Sequence, residues 1–177
     1  MKIKKYTQFL NESNGFSLGC VMIEVPVSNW EEITSSIVEE DLYTDEGKPG
    51  IQDNPHVTVL YGLHEEVSLE QVKSVFEGFN EHIDIKIEGI GVFENTNFDV
   101  VKFNVVPIGT LQSLHDKLSE LPNSNEYPEY EPHITIAYLK KGCGKKYEDL
   151  TYRHSVDNVN EVCYSMPNGG SKEYFSI

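Results

Sequence analysis

Two short stretches of the chain hold residue types that can do acid–base chemistry, Pro55–Tyr61 and Pro132–Tyr138. Both have proline, histidine, threonine and tyrosine at the same places, and every other place is apolar in both. β-branched residues alternate through each stretch, which predicts two strands. The prolines precede the histidines, at the start of a strand, where no ladder donor is needed.

Each stretch presents an imidazole and a hydroxyl on one strand face, as His56 with Thr58 and as His133 with Thr135, because residues two apart share a face. Phosphodiester cleavage by acid–base catalysis needs one group to take a proton from the nucleophile and another to protonate the leaving oxygen. Two histidines can do this near neutral pH, and two hydroxyls can hold the phosphate oxygens. A lone His-x-Thr is usually ordinary strand, whereas two copies with matching flanks favour a functional pair.

The elements that position the motifs also repeat, in the order strand, helix, polar loop and motif strand. Ser28 and Glu31 have the spacing of a capping box for the first helix, and Thr110 is expected to cap the second. The polar loop 41–54 is long enough to suggest a functional lid. This repeat predicts an α+β fold with two pseudo-symmetric lobes, each an antiparallel sheet with flanking helices, around a central cleft.

Further residues are candidates for substrate binding, with lower specificity than the motifs. The tyrosines that end the motifs would face away from the histidines if the alternation continued, and Tyr164 could stack on a base. For Glu161 and Tyr164 an ordinary strand role is the alternative. The set is Tyr61, Tyr138, Lys140, Glu161 and Tyr164. The other histidines are interpreted as surface or structural residues: His64, His82, His115 and His154.

The charge balance limits the substrate. The chain has 29 acidic and 14 basic residues, a net charge of -15 at pH 7. Proteins that bind long nucleic acid usually carry a basic stripe, so this surface argues against such a partner and favours a short substrate in a pocket. Lysines at 140, 141, 145 and 146 form either a positive rim beside the site or a solvated turn.

The sequence predicts neither a cofactor site nor a membrane-spanning segment. The three cysteines, Cys20, Cys143 and Cys163, have no paired spacing, which favours reduced thiols in a cytosolic compartment and predicts no zinc site. No carboxylate or Cys/His cluster suggests another metal. No apolar run approaches the roughly 20 residues of a spanning helix.

The paired His-x-Thr motifs resemble those of the 2H phosphoesterase superfamily. That superfamily includes RNA cyclic phosphodiesterases, 2′,5′-oligonucleotide phosphodiesterases and phage enzymes that degrade the cyclic oligonucleotide signals of the anti-phage system CBASS. The resemblance extends from about Phe16 to the C-terminus. It implies that His56 and His133 are the general acid and base, in an order that the sequence leaves open, and that Thr58 and Thr135 orient the phosphoryl oxygens.

Residues 1–12 differ from the rest, with three lysines and a short apolar stripe of Tyr6, Phe9 and Leu10. The pattern Tyr-x-x-Phe-Leu-x-Glu resembles the capsid-targeting leaders of T4-like phages, which a protease removes after the glutamate. The predicted division is therefore a removable leader at 1–12 and one bilobal catalytic domain at 13–177. The resemblance implies action in the host bacterial cytoplasm, or packaging in the virion.

The leading hypothesis is a metal-independent phosphodiesterase that cleaves 3′,5′ bonds of cyclic di- and trinucleotide messengers and so evades CBASS. One alternative is an RNA 2′,3′-cyclic or 2′,5′-oligonucleotide phosphodiesterase. Alternatives of other classes are a binding protein that sequesters the nucleotide intact and a virion structural protein that uses the leader alone. No cofactor, membrane or long nucleic acid is expected as a partner, and a homo-oligomer stays open.

Overall fold

The computed structural model describes residues 18–45, 47–79, 81–106, 108–125, 127, 129–149, 152–156 and 159–177. The predicted leader at 1–12, and with it the boundary at residue 13, lies outside the described residues. No helix in these ranges is long and apolar enough to cross a membrane.

In these residues, eight strands form an antiparallel sheet, and three α-helices pack on one of its faces. The strands are β1 (Gly19–Glu24), β2 (His56–Leu63), β3 (Ile85–Glu94), β4 (Phe98–Val106), β5 (His133–Lys140), β6 (Arg153–Val156), β7 (Glu161–Ser165) and β8 (Lys172–Ser176). The helices are α1 (Trp30–Ser35), α2 (Leu69–Glu77) and α3 (Ile108–Leu118). Short 3-10 turns occur at Glu39–Asp41 and Gly144–Tyr147.

All eight strands belong to one sheet, in the order β6-β3-β4-β5-β2-β1-β7-β8. The first half of the sheet is β2-β1-β7-β8 and the second half is β5-β4-β3-β6, so the two motif strands meet at the centre. The α+β class, the antiparallel pairing and the internal repeat are confirmed. The two halves are joined edge to edge through β2 and β5 into a single sheet, so neither lobe has a sheet of its own.

The helices pack into one apolar core on a single face of the sheet. Leu111, Leu114 and Leu118 of α3 are fully buried in it, as are Val57 and Ile134 from the motif strands. This burial fixes the strand register, because a slip by one residue would turn the apolar side chains of a strand to the other face. The opposite face of the sheet carries the polar motif residues.

Helix starts were predicted with mixed success. Ser68 and Gln71 form a complete capping box at α2, as their spacing indicates. The capping box predicted for Ser28 is wrong, because α1 begins after Asn29, which adopts a left-handed conformation (φ 60) and makes no side-chain cap. Thr110 lies inside α3, which begins at Ile108.

The loop 42–52 pairs with β5, which contradicts its interpretation as a lid. The Tyr43 amide donates to the Tyr138 carbonyl (2.9 Å), and the Gln52 amide donates to the Ile136 carbonyl (3.0 Å). The backbone of this loop thus satisfies the edge of β5 where β2 no longer pairs with it.

The loop that precedes the second motif does the same for β2. The Ser124 amide donates to the Gly62 carbonyl (2.9 Å), and Asn123 forms an isolated bridge with Leu63. Each motif strand is therefore completed by the loop that leads into the other motif strand.

Candidate active site

The four motif residues meet at the centre of the sheet. Val57 of β2 pairs with Ile134 of β5 in antiparallel register, and both side chains are fully buried in the core. By this register the neighbours of Val57 and Ile134 point to the opposite face, where His56 lies beside Thr135 and Thr58 beside His133. The two histidines are diagonal neighbours, which lie roughly 7–8 Å apart in a regular ladder and somewhat closer at Cβ.

Both imidazoles are held in the same way. The Nδ1 atom of His56 lies 2.8 Å from the Asn54 carbonyl, and that of His133 lies 2.8 Å from the Glu131 carbonyl. A carbonyl only accepts hydrogen bonds, so Nδ1 carries the proton in both rings. The Nε2 atom is then the nitrogen that takes or gives a proton, because the hydrogen bond at one ring nitrogen sets the role of the other.

The electrostatic surroundings favour a neutral His133. Burial lowers the pKa of this half-buried imidazole from 6.5 to about 4, and the charges of Lys102 and His56 act in the same direction. The carbonyl and carboxylate of Glu131 oppose the shift without cancelling it. At neutral pH His133 is therefore unprotonated at Nε2, the state that a general base requires.

A β-bulge follows the histidine and threonine in β2. Thr58 pairs with Met22 of β1 and Leu60 pairs with Val21, so Val59 is an extra residue in β2. The extra residue reverses the alternation. As a result, Tyr61 lies on the same face as Thr58, where it packs on Met22.

β5 has its bulge at the corresponding place. Thr135 pairs with Lys102 of β4 and Ala137 pairs with Val101, so Ile136 is the extra residue. Tyr138 is turned to the face of Thr135 in consequence. The prediction that both motif tyrosines face away from the histidines is therefore wrong, because a bulge cannot be read from alternating apolar residues.

The two tyrosines differ in exposure. Tyr61 is half-buried and lines a pocket of about 40 Å³ that also includes Thr58, Tyr130 and His133. Tyr138 is only 2% exposed and lies beneath Lys48, whose Nζ is 4.6 Å from the ring centroid. Of the pair, Tyr61 borders open space beside Thr58 and His133, whereas Tyr138 is covered by Lys48.

Two residues from outside the motifs fix the bulge of β2. The Tyr130 hydroxyl donates to the Thr58 carbonyl (3.0 Å), and His115 Nδ1 donates to the Val59 carbonyl (2.7 Å). The two rings stack with centroids 4.3 Å apart. The interpretation of His115 as structural is supported, and the ring pair holds the backbone on which Thr58 is placed.

On the other side of the site, β4 contributes Lys102 and Asn104. Lys102 lies opposite Thr135, its Nζ donates to Asn104 Oδ1 (2.6 Å), and it sits 4.4 Å from the centroid of the Phe93 ring. The Phe93 ring contacts the imidazole of His133 edge to face, with centroids 4.8 Å apart. Lys102 was not predicted as a site residue, because it is one of three polar residues in a strand where polar and apolar positions alternate.

Three candidates for substrate binding lie away from the histidines. Tyr164 is fully buried on the core face with its hydroxyl donating to the Val67 carbonyl (2.9 Å), so its prediction as a base-stacking residue is wrong and the ordinary strand role holds. Glu161 is exposed on β7, two strands from β2. Lys140 is exposed at the end of β5 and donates to the Glu40 carbonyl (2.7 Å).

The other lysines of that cluster are paired with acids. Lys141 contacts Asp99 at 3.0 Å, Lys145 contacts Glu94 at 3.2 Å, and Lys146 contacts the carboxylate of Asp41. Of the two interpretations of this lysine cluster, the structure favours a turn held by ion pairs. Its positive charge is largely neutralised in place. No group of three or more His, Cys, Asp or Glu side chains suited to a metal occurs within the described ranges.

Comparison with known proteins identifies the family. The family described as the 2′-5′ RNA ligase superfamily matches residues 12–143. Comparison with curated protein sequences gives no significant match.

Solved structures share the fold at low sequence identity. Usb1 of Kluyveromyces marxianus superposes with a TM-score of 0.64 and 11% identity, covering 92% of this chain and 99% of its own. LigT of E. coli complexed with 3′-AMP superposes with a TM-score of 0.57 and 16% identity, covering 90% of this chain and 94% of its own. At these identities the likeness shows a common fold.

Proposed function

Because this chain belongs to the 2′-5′ RNA ligase superfamily and is a phosphodiesterase of the two-histidine type, we propose that it hydrolyses 3′,5′ bonds of cyclic di- and trinucleotides without a metal. The observation that carries the catalytic part is the diagonal imidazole pair, with both Nδ1 atoms bound to carbonyls. That arrangement offers two proton-transfer groups flanked by two hydroxyls, and acid–base cleavage of a phosphodiester needs no more.

The roles follow from protonation. His133, neutral at Nε2, removes the proton from the attacking water, whose oxygen forms the new bond to phosphorus. His56 gives its Nε2 proton to the departing ribose oxygen as that bond to phosphorus breaks. Thr58 and Thr135 donate their hydroxyls to the non-bridging oxygens, where negative charge develops. Cleavage of one such bond opens the nucleotide ring.

The size and charge of the substrate rest on separate observations. The net charge of -15, together with the ion pairs that neutralise the lysines at 141, 145 and 146, argues against binding of long nucleic acid by the described part of the chain. Thr58 and Tyr61 border a pocket next to His133, where part of a short ligand could lie. Together with the resemblance to the phage branch of the superfamily, this supports a cyclic oligonucleotide alarm as substrate and evasion of CBASS in the infected cell as outcome.

The family itself favours a second candidate, hydrolysis of 2′,5′-linked oligonucleotides or of RNA 2′,3′-cyclic ends, since its description names the 2′-5′ linkage. A panel of substrates distinguishes the two candidate functions. Cyclic di- and trinucleotides, linear 2′,5′- and 3′,5′-linked oligonucleotides and RNA with a 2′,3′-cyclic end are each incubated with the protein in EDTA, and products are resolved by mass.

The proposal expects a linearised product from a cyclic substrate, unaffected by EDTA. Cleavage confined to 2′,5′ linkages would select the second candidate. Intact ligand recovered from a tight complex would indicate a sequestering protein. Activity that disappears in EDTA and returns with Mg²⁺ or Mn²⁺ would overturn the metal-free chemistry.

A further inference from the structure

One cation lies beside the catalytic residues, and its setting is built from several side chains. We infer that Lys102 is the residue that binds the charged phosphate of the substrate, donating from Nζ to a non-bridging oxygen next to Thr135. This inference rests on the proposed function, since it concerns the same phosphoryl group.

Register places Lys102 at the site. It lies directly opposite Thr135 in the β4–β5 ladder, on the face that carries the motif residues. Opposed residues in an antiparallel pair have Cβ atoms roughly 5 Å apart, well within the reach of a lysine side chain. In agreement with this position, the charge of Lys102 adds to the lowering of the pKa of His133 that burial causes.

The ammonium is held by two neighbours and leaves donor capacity for a ligand. One N–H donates to Asn104 Oδ1 at 2.6 Å, and the Phe93 ring lies 4.4 Å away. An ammonium has three N–H donors. The Phe93 ring attracts its positive charge but does not accept a hydrogen bond as an oxygen atom does. Burial lowers the pKa of Lys102, and the carboxylate of Glu131 acts against this, so the charge lacks the full hydration that it would have at the surface. A phosphate anion would supply the missing partner.

Gly91 provides the space in which this arrangement lies. A Cβ atom at Gly91 would come within 2.8 Å of Asn104 Oδ1 and 3.3 Å of Lys102 Nζ. Both are the ends of flexible side chains, so an alanine there should be accommodated by moving them, with the strand unchanged. Because residue 91 has no side chain, Asn104 and Lys102 have room to lie beside the site. The methyl group that Gly91→Ala adds should displace the ammonium of Lys102.

The first test measures phosphate affinity, with adenosine 3′-monophosphate as the probe and calorimetry as the readout. Lys102→Met should weaken binding about 10- to 100-fold, the usual effect of a charge-assisted hydrogen bond. Lys102→Arg keeps the charge and should retain much of the affinity. The matched control is Lys117→Met, which also removes an ammonium from above a ring, 5.0 Å from the Phe79 centroid, but on α3. It should bind as the wild type does.

The second test asks whether the contact is to one particular oxygen. Substrates in which a single non-bridging oxygen is replaced by sulfur exist as Rp and Sp forms. The wild type should prefer one form, and Lys102→Met should lose most of that preference together with kcat, whereas a merely structural lysine would leave the preference intact. Gly91→Ala should fall between the two.

The outcomes separate this inference from the proposed function. Unchanged affinity and unchanged Rp/Sp preference in Lys102→Met would overturn it. If Lys102→Met does not fold, Gly91→Ala carries the test, and normal phosphate affinity in that variant would overturn the inference equally. A wild type that binds the nucleotide through Lys102 but cleaves no oligonucleotide would refute the proposed function alone.

Discussion

The two halves of the sheet share the same backbone arrangement around the motif but differ in the side chains that lie beside it. In the first half, Met22 lies opposite Thr58, and Cys20 lies opposite Tyr61, giving an apolar surface. At the corresponding position of the second half, Lys102 lies opposite Thr135. Strand order, bulge, histidine tautomer and threonine are repeated, while the residues on the neighbouring strand are not.

This difference shows how a symmetric framework produces unequal histidines. Acid–base catalysis uses one protonated and one neutral group, and groups outside the motifs can raise the fraction of enzyme in that state by making the two pKa values differ. Burial together with Lys102 lowers the pKa of His133 to about 4. On the other side, Glu24 lies opposite His56 in the β1–β2 ladder. The residues opposite the two histidines therefore differ, a glutamate opposite His56 and an asparagine, Asn104, opposite His133.

The largest expected effect comes from breaking each histidine in turn. His56→Ala and His133→Ala should each reduce kcat/KM on an oligonucleotide by about 10²–10⁴-fold, the usual contribution of a general acid or base. The two differ on a p-nitrophenyl phosphodiester, whose leaving group departs without a proton. His56→Ala should recover most of its activity on that ester and His133→Ala should not. Recovery of both variants, or of His133→Ala alone, would contradict the assignment of roles.

The pH dependence sharpens the comparison. In a plot of wild-type kcat/KM against pH, the rising limb should lie near pH 4, because His133 can accept a proton only above its lowered pKa. Lys102 and His56 lower that pKa and Glu131 raises it, so Lys102→Met should move the limb upward, toward 6.5. Stopped assays from pH 3.5 to 8 measure it, with Lys117→Met as the control. A wild-type limb already at 6.5 would show that the two histidines are not distinguished in this way.

The threonines should contribute less and not equally. Thr58→Val and Thr135→Val each remove one hydrogen bond to the developing charge, and removal of one such donor costs up to about 10²–10³-fold in kcat. Thr135→Val should be the milder change, because Lys102 would still bind the phosphate oxygen beside it. Steady-state kinetics on the same substrate compare the two variants. A larger loss in Thr135→Val than in Thr58→Val would show that Lys102 does not bind the oxygen beside Thr135.

The smallest expected effect comes from removing the hydrogen bond that Tyr130 makes to the backbone of β2 in the first half. Tyr130→Phe removes the donor to the Thr58 carbonyl and should cost about 1 kcal/mol of unfolding free energy, the usual net value of one hydrogen bond. Denaturant titration measures it. A several-fold fall in kcat at unchanged KM should accompany it, since Thr58 would be less well placed. Tyr152→Phe is the matched control, because that hydroxyl donates to the Ser28 carbonyl away from the site.

The sequence was informative where periodicity and duplication carry the structure. His56, Thr58, His133 and Thr135 came from a repeated motif, and the register of one buried pair, Val57 with Ile134, places all four on one face. The bulges at Val59 and Ile136 were not predictable, because a bulge depends on how two strands pair and the motif shows one strand at a time. Tyr61 and Tyr138 were therefore assigned to the wrong faces.

Lys102 illustrates a second limit. Nothing in its own strand marks it as more than one polar residue in an alternating pattern. Its role depends on Thr135, Phe93 and Gly91, which lie on two other strands and come together only through the order of the sheet. The lid predicted for the loop 41–54 failed for a related reason, since the partner of that loop, β5, lies more than eighty positions further along the chain.

The exchanged loops make the duplicated halves inseparable. The segment 42–52 satisfies the backbone of β5, and the segment 122–125 satisfies that of β2, so either half alone would present an unpaired strand edge and an exposed part of the core. Such an interlocked arrangement has the character of a domain-swapped dimer whose two subunits have become one chain. It should melt as a single cooperative unit, and a chain cut between α2 and β3 should regain its shape only when both fragments are mixed.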